Sequence, residues 1–159
     1  MSDEKYEVLA RRLQHLEDHL EITRLLASYG PLVDRGDADG AAGLWTENGE
    51  YDVPGLHMRS REDIRAMVYS ESHQNFLRSG STHFIGPAHV SIDGDRATAV
   101  CESILVTREA ESYRILLSGS HRIRLARTPD GWRVEHRITR ELNGAPEARE
   151  LLRIDGPAA

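Results

Sequence analysis

The chain of 159 residues contains one cysteine, Cys101. A single thiol excludes an internal disulfide framework, so whatever holds the fold must be packing and hydrogen bonding. Cys101 itself reads as a small core residue. An excess of basic charge is also missing. The net charge is −6, which argues against nucleic acid as a partner, because that needs a dense basic face. Arg122, Arg124, Arg127 and Arg133 leave open only a local basic patch. No apolar run approaches the roughly 18 residues of a membrane span, and Met1-Ser2-Asp3-Glu4-Lys5 lacks the apolar core of a secretory signal. The expected compartment is therefore the cytoplasm, with no membrane partner. The 13 glycines form no phosphate-cradling loop, and no repeat or low-complexity segment interrupts the chain. His15 and His19 share the i, i+4 spacing of a helical metal pair. They lack a third ligand at a convincing distance, so no metal and no cofactor is expected.

What is present is enough apolar residue, 39%, for one domain with a sizeable core. One domain over 1–159 is expected, its core near 16–142. Residues from about 6 to 33 read as helix. Leu9, Leu13, Leu16 and Leu20 form one stripe, and Ile22, Leu25, Leu26, Tyr29 and Val33 a second, rotated from the first. Either the first stripe docks on a partner subunit and the second on the domain body, or both cover one core. Gly30-Pro31 is expected to kink or end this helix, since Pro31 has no amide proton and clashes with the preceding turn. Asp37 caps a short helix over about 38–46, with Ala41, Leu44 and Trp45 facing inward. Short strands follow at 50–53 and 56–59 around Pro54-Gly55. Ser60 and Asp63 resemble a capping box opening a third helix with Ile64, Met67 and Val68 on one face.

From Ser81 onward the period changes to two. Residues 81–92 read as one long strand bent at Gly86-Pro87, then a tight turn at Asp93-Gly94-Asp95. Strands over 96–108 and 113–127 follow. In the latter Tyr113, Ile115, Leu117, Gly119, His121, Ile123 and Leu125 alternate with polar residues. Thr128-Pro129-Asp130-Gly131 is a turn, after which Trp132, Val134, His136 and Ile138 point inward. A short helix is expected near 146–152. Helices first and long strands afterwards give an α+β fold. Its expected form is a strongly curved mixed or antiparallel sheet wrapped around the N-terminal helices, with a pocket on the concave side.

Three residues stand out chemically. His83 shares a pleat with Ile85, so it points where an apolar residue would. Asp34 sits near a helix C-terminus, where the dipole disfavours negative charge; it is either a solvated aspartate in the polar run Asp34-Arg35-Gly36-Asp37 or, facing a pocket, one that needs a partner. Tyr29 lies on the inward stripe of that helix. An imidazole titrates near neutrality and can remove a proton next to a carbonyl. A carboxylate on its other nitrogen would fix the tautomer. Glu102 lies in an otherwise apolar strand and is expected to face outward.

The order Tyr29, Asp34, Trp45, Glu50-Tyr51-Asp52, Thr82-His83-Phe84, Ala97-Thr98-Ala99, then Asp130-Gly131-Trp132-Arg133-Val134 and His136-Arg137, resembles the SnoaL-like family. That family belongs to the nuclear transport factor two-like superfamily of conical α+β barrels. The branch with scytalone dehydratase, bile-acid dehydratase and hexachlorocyclohexane dehydrochlorinase is also similar. The resemblance implies a cofactor-free lyase or isomerase of dehydratase type, acting on a hydrophobic cyclic small molecule. It implies His83 as general base, Asp34 as its partner, and Tyr29 as a group that holds substrate or stabilises developing charge. Tyr51, Trp45 and His121 become pocket candidates, as does Arg137. Strict alternation turns Arg137 away from Trp132 and Val134, so a bulge is required for it, and His136 is the competing pocket residue. The same scaffold also serves non-catalytic binding proteins and structural subunits of larger enzymes. By the same analogy a homodimer or homotrimer is expected.

Overall fold

The computed structural model describes residues 3–154. Helix α1 spans Asp3–Asp34 and α2 Ala38–Ala42. Strands β1 (Trp45–Val53) and β2 (Leu56–Met58) precede α3 (Arg61–Tyr69) and α4 (Glu71–Ser79). Then come β3 (Ser81–Ile85), β4 (His89–Asp93), β5 (Arg96–Glu109), β6 (Ser112–Thr128), β7 (Gly131–Glu141) and α5 (Pro146–Leu151). The strands form one seven-stranded sheet in the order β2-β1-β7-β6-β5-β3, with β4 also on β5. Strands β1 and β7 run parallel, and the other described pairs are antiparallel. The sheet is mixed and strongly curved, and it does not close into a barrel: β2 ends one edge and the β3/β4 pair the other. Helix α1 packs against β3, β4 and β7, and so is embraced by the sheet.

The two stripes of α1 have different fates. Ile22, Leu26, Tyr29 and Val33 are buried, whereas Leu9, Leu13, Leu16 and Leu20 are exposed, Leu16 to 66%. The first stripe thus covers no core within the single chain. The helix also runs through Pro31 rather than stopping there. Pro31 deprives only the Ala27 carbonyl of its partner, and both residues are exposed, so water can satisfy that carbonyl. The ladder resumes with Arg35 N donating to the Pro31 carbonyl. Asp18 anchors the helix to the sheet: it takes two bonds from Arg127 and one from Trp132 Nε1.

Several strand readings need correction. Trp45 opens β1 rather than ending a helix: α2 closes after one turn, and Trp45 pairs with Val134. The stretch 81–92 is two strands, since Pro87 has no amide to continue a ladder. β3 pairs with residues 103–107 of β5 and β4 with residues 96–100, so one edge is shared by two pieces. The alternation of β6 breaks between Leu117 and Ile115, where Leu116 is an extra residue. Tyr113 and Ile115 are exposed, and so are Arg114 and Leu116 between and beside them, so this end of the strand buries neither face. Ser60 caps α3 as expected, accepting from Asp63 N, while Asp63 accepts from Arg59 N. The core is built on Ile22, Val33, Trp45, Ile64, Val68, Ile123, Leu125 and Trp132. Among the described residues, no helix is long and apolar enough to cross a membrane.

Candidate functional site

The site begins where α1 meets β3. Gly30 is buried in the last turns of α1, and a Cβ there would collide with the backbone carbonyl of His83. Only a glycine lets the two backbones come so close. One turn later, Asp34 reaches His83 twice. Its Oδ2 accepts from the His83 backbone N–H at 2.8 Å, and its Oδ1 lies 2.6 Å from Nδ1. An ionised carboxylate only accepts, so the proton between them sits on Nδ1. That tautomer of the imidazole carries its lone pair on Nε2. Both side chains are mostly buried. The two N–H groups also offset the unfavourable place of Asp34 at the end of a helix with no basic residue in its last turn.

His83 lines a cavity of about 390 Å³. The cavity lies between the concave face of β5, β6 and β7, the end of α1, and the α3/α4 pair. Apolar walls come from Met58, Met67, Phe76, Ile85, Leu105 and Leu117. Around His83, rings pack edge-on: Tyr29 at 6.4 Å between centres and Phe76 at 6.3 Å. His73 lies alongside at 5.6 Å and 32°. Its Nε2 donates to the Val33 carbonyl at 2.9 Å, and burial lowers its pKa from 6.5. Tyr29 also contacts Tyr51 at 6.0 Å and Trp45 at 5.7 Å, and Trp45 stacks on Tyr51. The Tyr29 hydroxyl is held protonated: burial first, then neighbouring Tyr51, drive its pKa well above 10.0, against the opposing pull of Arg137.

The structure thus brings Tyr29, Asp34, His83, Tyr51, His121 and Arg137 to one cavity or its immediate wall. Trp45 does not line the cavity; it backs Tyr29 and Tyr51 from behind. His136 is the candidate placed elsewhere. Across β6 and β7, Leu125 pairs with Val134 but Arg124 pairs with His136. Glu135 is therefore an extra residue, a bulge that reverses the facing of everything after it. Trp132 and Val134 point inward before it, and Arg137 and Thr139 after it, all buried. His136 is turned to the outer face, near Glu50, Asp52 and His57, its pKa lowered mainly by desolvation. His15 and His19 stand exposed on α1. No group of three metal-ligating side chains occurs among the described residues.

Among the cavity residues that escaped the sequence reading are His73 and Phe76 on α4, Ser103 on β5, and Thr139 on β7. α4 was legible in principle. Ser70 caps it, accepting from His73 N, and His73, Phe76 and Leu77 fall at helical spacing. Thr139 depended on the bulge and had no local signal.

The comparisons with known proteins agree with this architecture. A family model described as the SnoaL-like domain matches residues 14–138. No curated protein matches the chain. Among solved structures, an NTF2-like protein with a cystatin-like fold from Novosphingobium aromaticivorans is 40% identical, covering 92% of this chain and 96% of that one, at a TM-score of 0.90. A variant of Rv3472, a protein of unknown function from Mycobacterium tuberculosis, is 28% identical over 84% of this chain and 78% of its own, at 0.74. A candidate scytalone dehydratase from Novosphingobium aromaticivorans shares the fold at 18% identity and a TM-score of 0.68, with 80% and 85% covered. With a cavity gripped between α1 and a curved mixed sheet, a match over most of its length and a 40% identical structural relative, the chain belongs to the SnoaL-like family on the NTF2-like fold.

Proposed function

We propose that the protein is a cofactor-free lyase or isomerase of dehydratase type, acting on a hydrophobic cyclic molecule that bears a carbonyl. The observation that carries this reading is the double grip of Asp34 on His83. It fixes both the backbone and the ring of the histidine and leaves Nε2 as a base facing an apolar cavity. In the reaction, Nε2 takes a proton from the carbon next to the carbonyl. The electrons of that C–H bond move towards the carbonyl oxygen, and the protonated Tyr29 hydroxyl donates a hydrogen bond to it. Asp34 stabilises the imidazolium that forms. When the electrons return, the bond to a β-hydroxyl breaks and that oxygen takes the proton from Nε2–H, leaving as water. With no leaving group, return of the proton to another carbon gives isomerisation. The solved relative named as a candidate scytalone dehydratase is in keeping with this chemistry.

The test is incubation with a panel of cyclic β-hydroxy ketones in heavy water, read by mass spectrometry. Loss of water or uptake of deuterium is expected from the wild type, falling by about 10²–10⁴-fold in His83→Ala. Full turnover in that variant, or tight retention of ligand with no chemical change, overturns the proposal.

A further inference from the structure

Arg137 carries a charge that the protein itself does not balance. It is 4% exposed, yet no carboxylate pairs with it among the described residues. Its Cζ lies 4.5 Å from the ring centre of Tyr29 and 4.7 Å from that of Tyr51. Two cation–π contacts offset part of the cost of burying a guanidinium. They leave Nη1 and Nη2 without a protein acceptor among the described residues, at the wall of the cavity.

Among the described residues only Nε is bonded, to His121 Nδ1 at 3.3 Å, and that bond sets the polarity of the whole corner. An N–H cannot donate to another N–H, so Nδ1 bears the lone pair and the ring proton is on Nε2. The Thr139 hydroxyl donates to the same Nδ1 at 2.8 Å. Nε2–H then donates to Ser103 Oγ at 2.6 Å. Burial and the adjacent guanidinium hold His121 neutral, its pKa well below 6.5. Ser103, which also lines the cavity, has its acceptor side used by His121 and its own hydrogen left over. This corner therefore presents Nη1, Nη2 and the Ser103 hydroxyl as donors around one positive charge. A ligand group made only of acceptors, with negative charge and planar geometry, complements it.

We infer that the substrate is a hydrophobic cyclic acid whose carboxylate is held by Arg137 and Ser103, an inference that rests on the reading of this cavity as the reaction site. Tyr29 neighbours both groups: its ring centre is 4.5 Å from Arg137 Cζ and 6.4 Å from the His83 ring centre, and all three line one cavity, so a single cyclic ligand can meet both. His121 is a positioning residue: it aims Arg137 and orients Ser103 without touching the reacting atoms.

The test compares naphthylacetate with naphthylacetamide by calorimetry at moderate salt. The wild type is expected to bind the acid at least about tenfold more tightly than the amide. Arg137→Met should abolish that preference, and Ser103→Ala should reduce it about threefold. Equal affinities in the wild type, failure to bind the acid, or a preference that survives Arg137→Met overturns the inference. If Arg137→Met does not fold, the wild-type ratio and Ser103→Ala decide. His83→Ala separates the two readings. A preference for the acid without any His83-dependent turnover sinks the proposed chemistry and leaves this inference standing. Turnover of neutral ketones with no preference for acids does the reverse.

Discussion

Replacing Gly30 by alanine sets two physical effects against each other. In an ordinary helix interior, Gly→Ala stabilises by about 1 kcal/mol, because glycine loses more backbone freedom on folding. At Gly30 the added Cβ meets the backbone carbonyl of His83. Neither partner is a side chain that can swing aside, so α1 and β3 must separate. Overpacking of this kind costs about 1–3 kcal/mol. Separation also stretches the bonds from Asp34 to His83, now 2.8 and 2.6 Å. A hydrogen bond to a charged group contributes about 1.5–3 kcal/mol. The two losses are not additive, since moving apart relieves the clash while breaking the bonds. Taking the larger of them against the propensity gain leaves a net destabilisation of about 0.5–2 kcal/mol. Urea denaturation of the two proteins measures it, and the imidazole resonances of His83 report whether the Asp34 contact persists. A Gly30→Ala protein as stable as the wild type, with His83 unshifted, would refute the argument that this close approach builds the site.

Two further outcomes concern the protons of the buried groups. In Asp34→Asn, long-range proton–nitrogen NMR should show the His83 proton no longer confined to Nδ1, with a stability loss of about 1–3 kcal/mol; an unchanged tautomer would mean that Asp34 does not set it. Stability should also fall in two stages as the solution is acidified. His73, His121 and His136 all have native pKa values below the ordinary 6.5, each mainly through burial. The unfolded chain therefore binds protons first, so stability is full above 6.5 and is lost as pH falls below it. Asp18, whose pKa the Arg127 hydrogen bonds bring from 3.8 to about 2, adds a second loss of about 2 kcal/mol between those values. Denaturation midpoints between about pH 7.5 and pH 5 check the first stage, and a flat profile there would count against neutral buried histidines.

The sequence made the division into helices and strands legible because period and punctuation are local. The two leucine-rich stripes, the Ser60 cap and the Asp93-Gly94-Asp95 turn each declare themselves within a few residues. Tyr29, Asp34 and His83 could be singled out along the chain, but their pairing followed from the resemblance to the SnoaL-like family; by local pattern alone Asp34 reads as well as a solvated aspartate. What local pattern could not supply was phase. One extra residue reverses every later side chain of a strand, and the extra residues Leu116 and Glu135 have no signature of their own. Glu135 matters most. Without its bulge His136 would face the cavity and Arg137 the outer surface, exchanging a guanidinium for an imidazole at that wall. The choice between the two is made by pairing with β1 and β6, long-range contacts that a reading along the chain does not contain. The contact between Asp34 and His83 thus joins two short segments, α1 and β3, while the charge that Arg137 brings to the cavity wall is set by the register of the sheet.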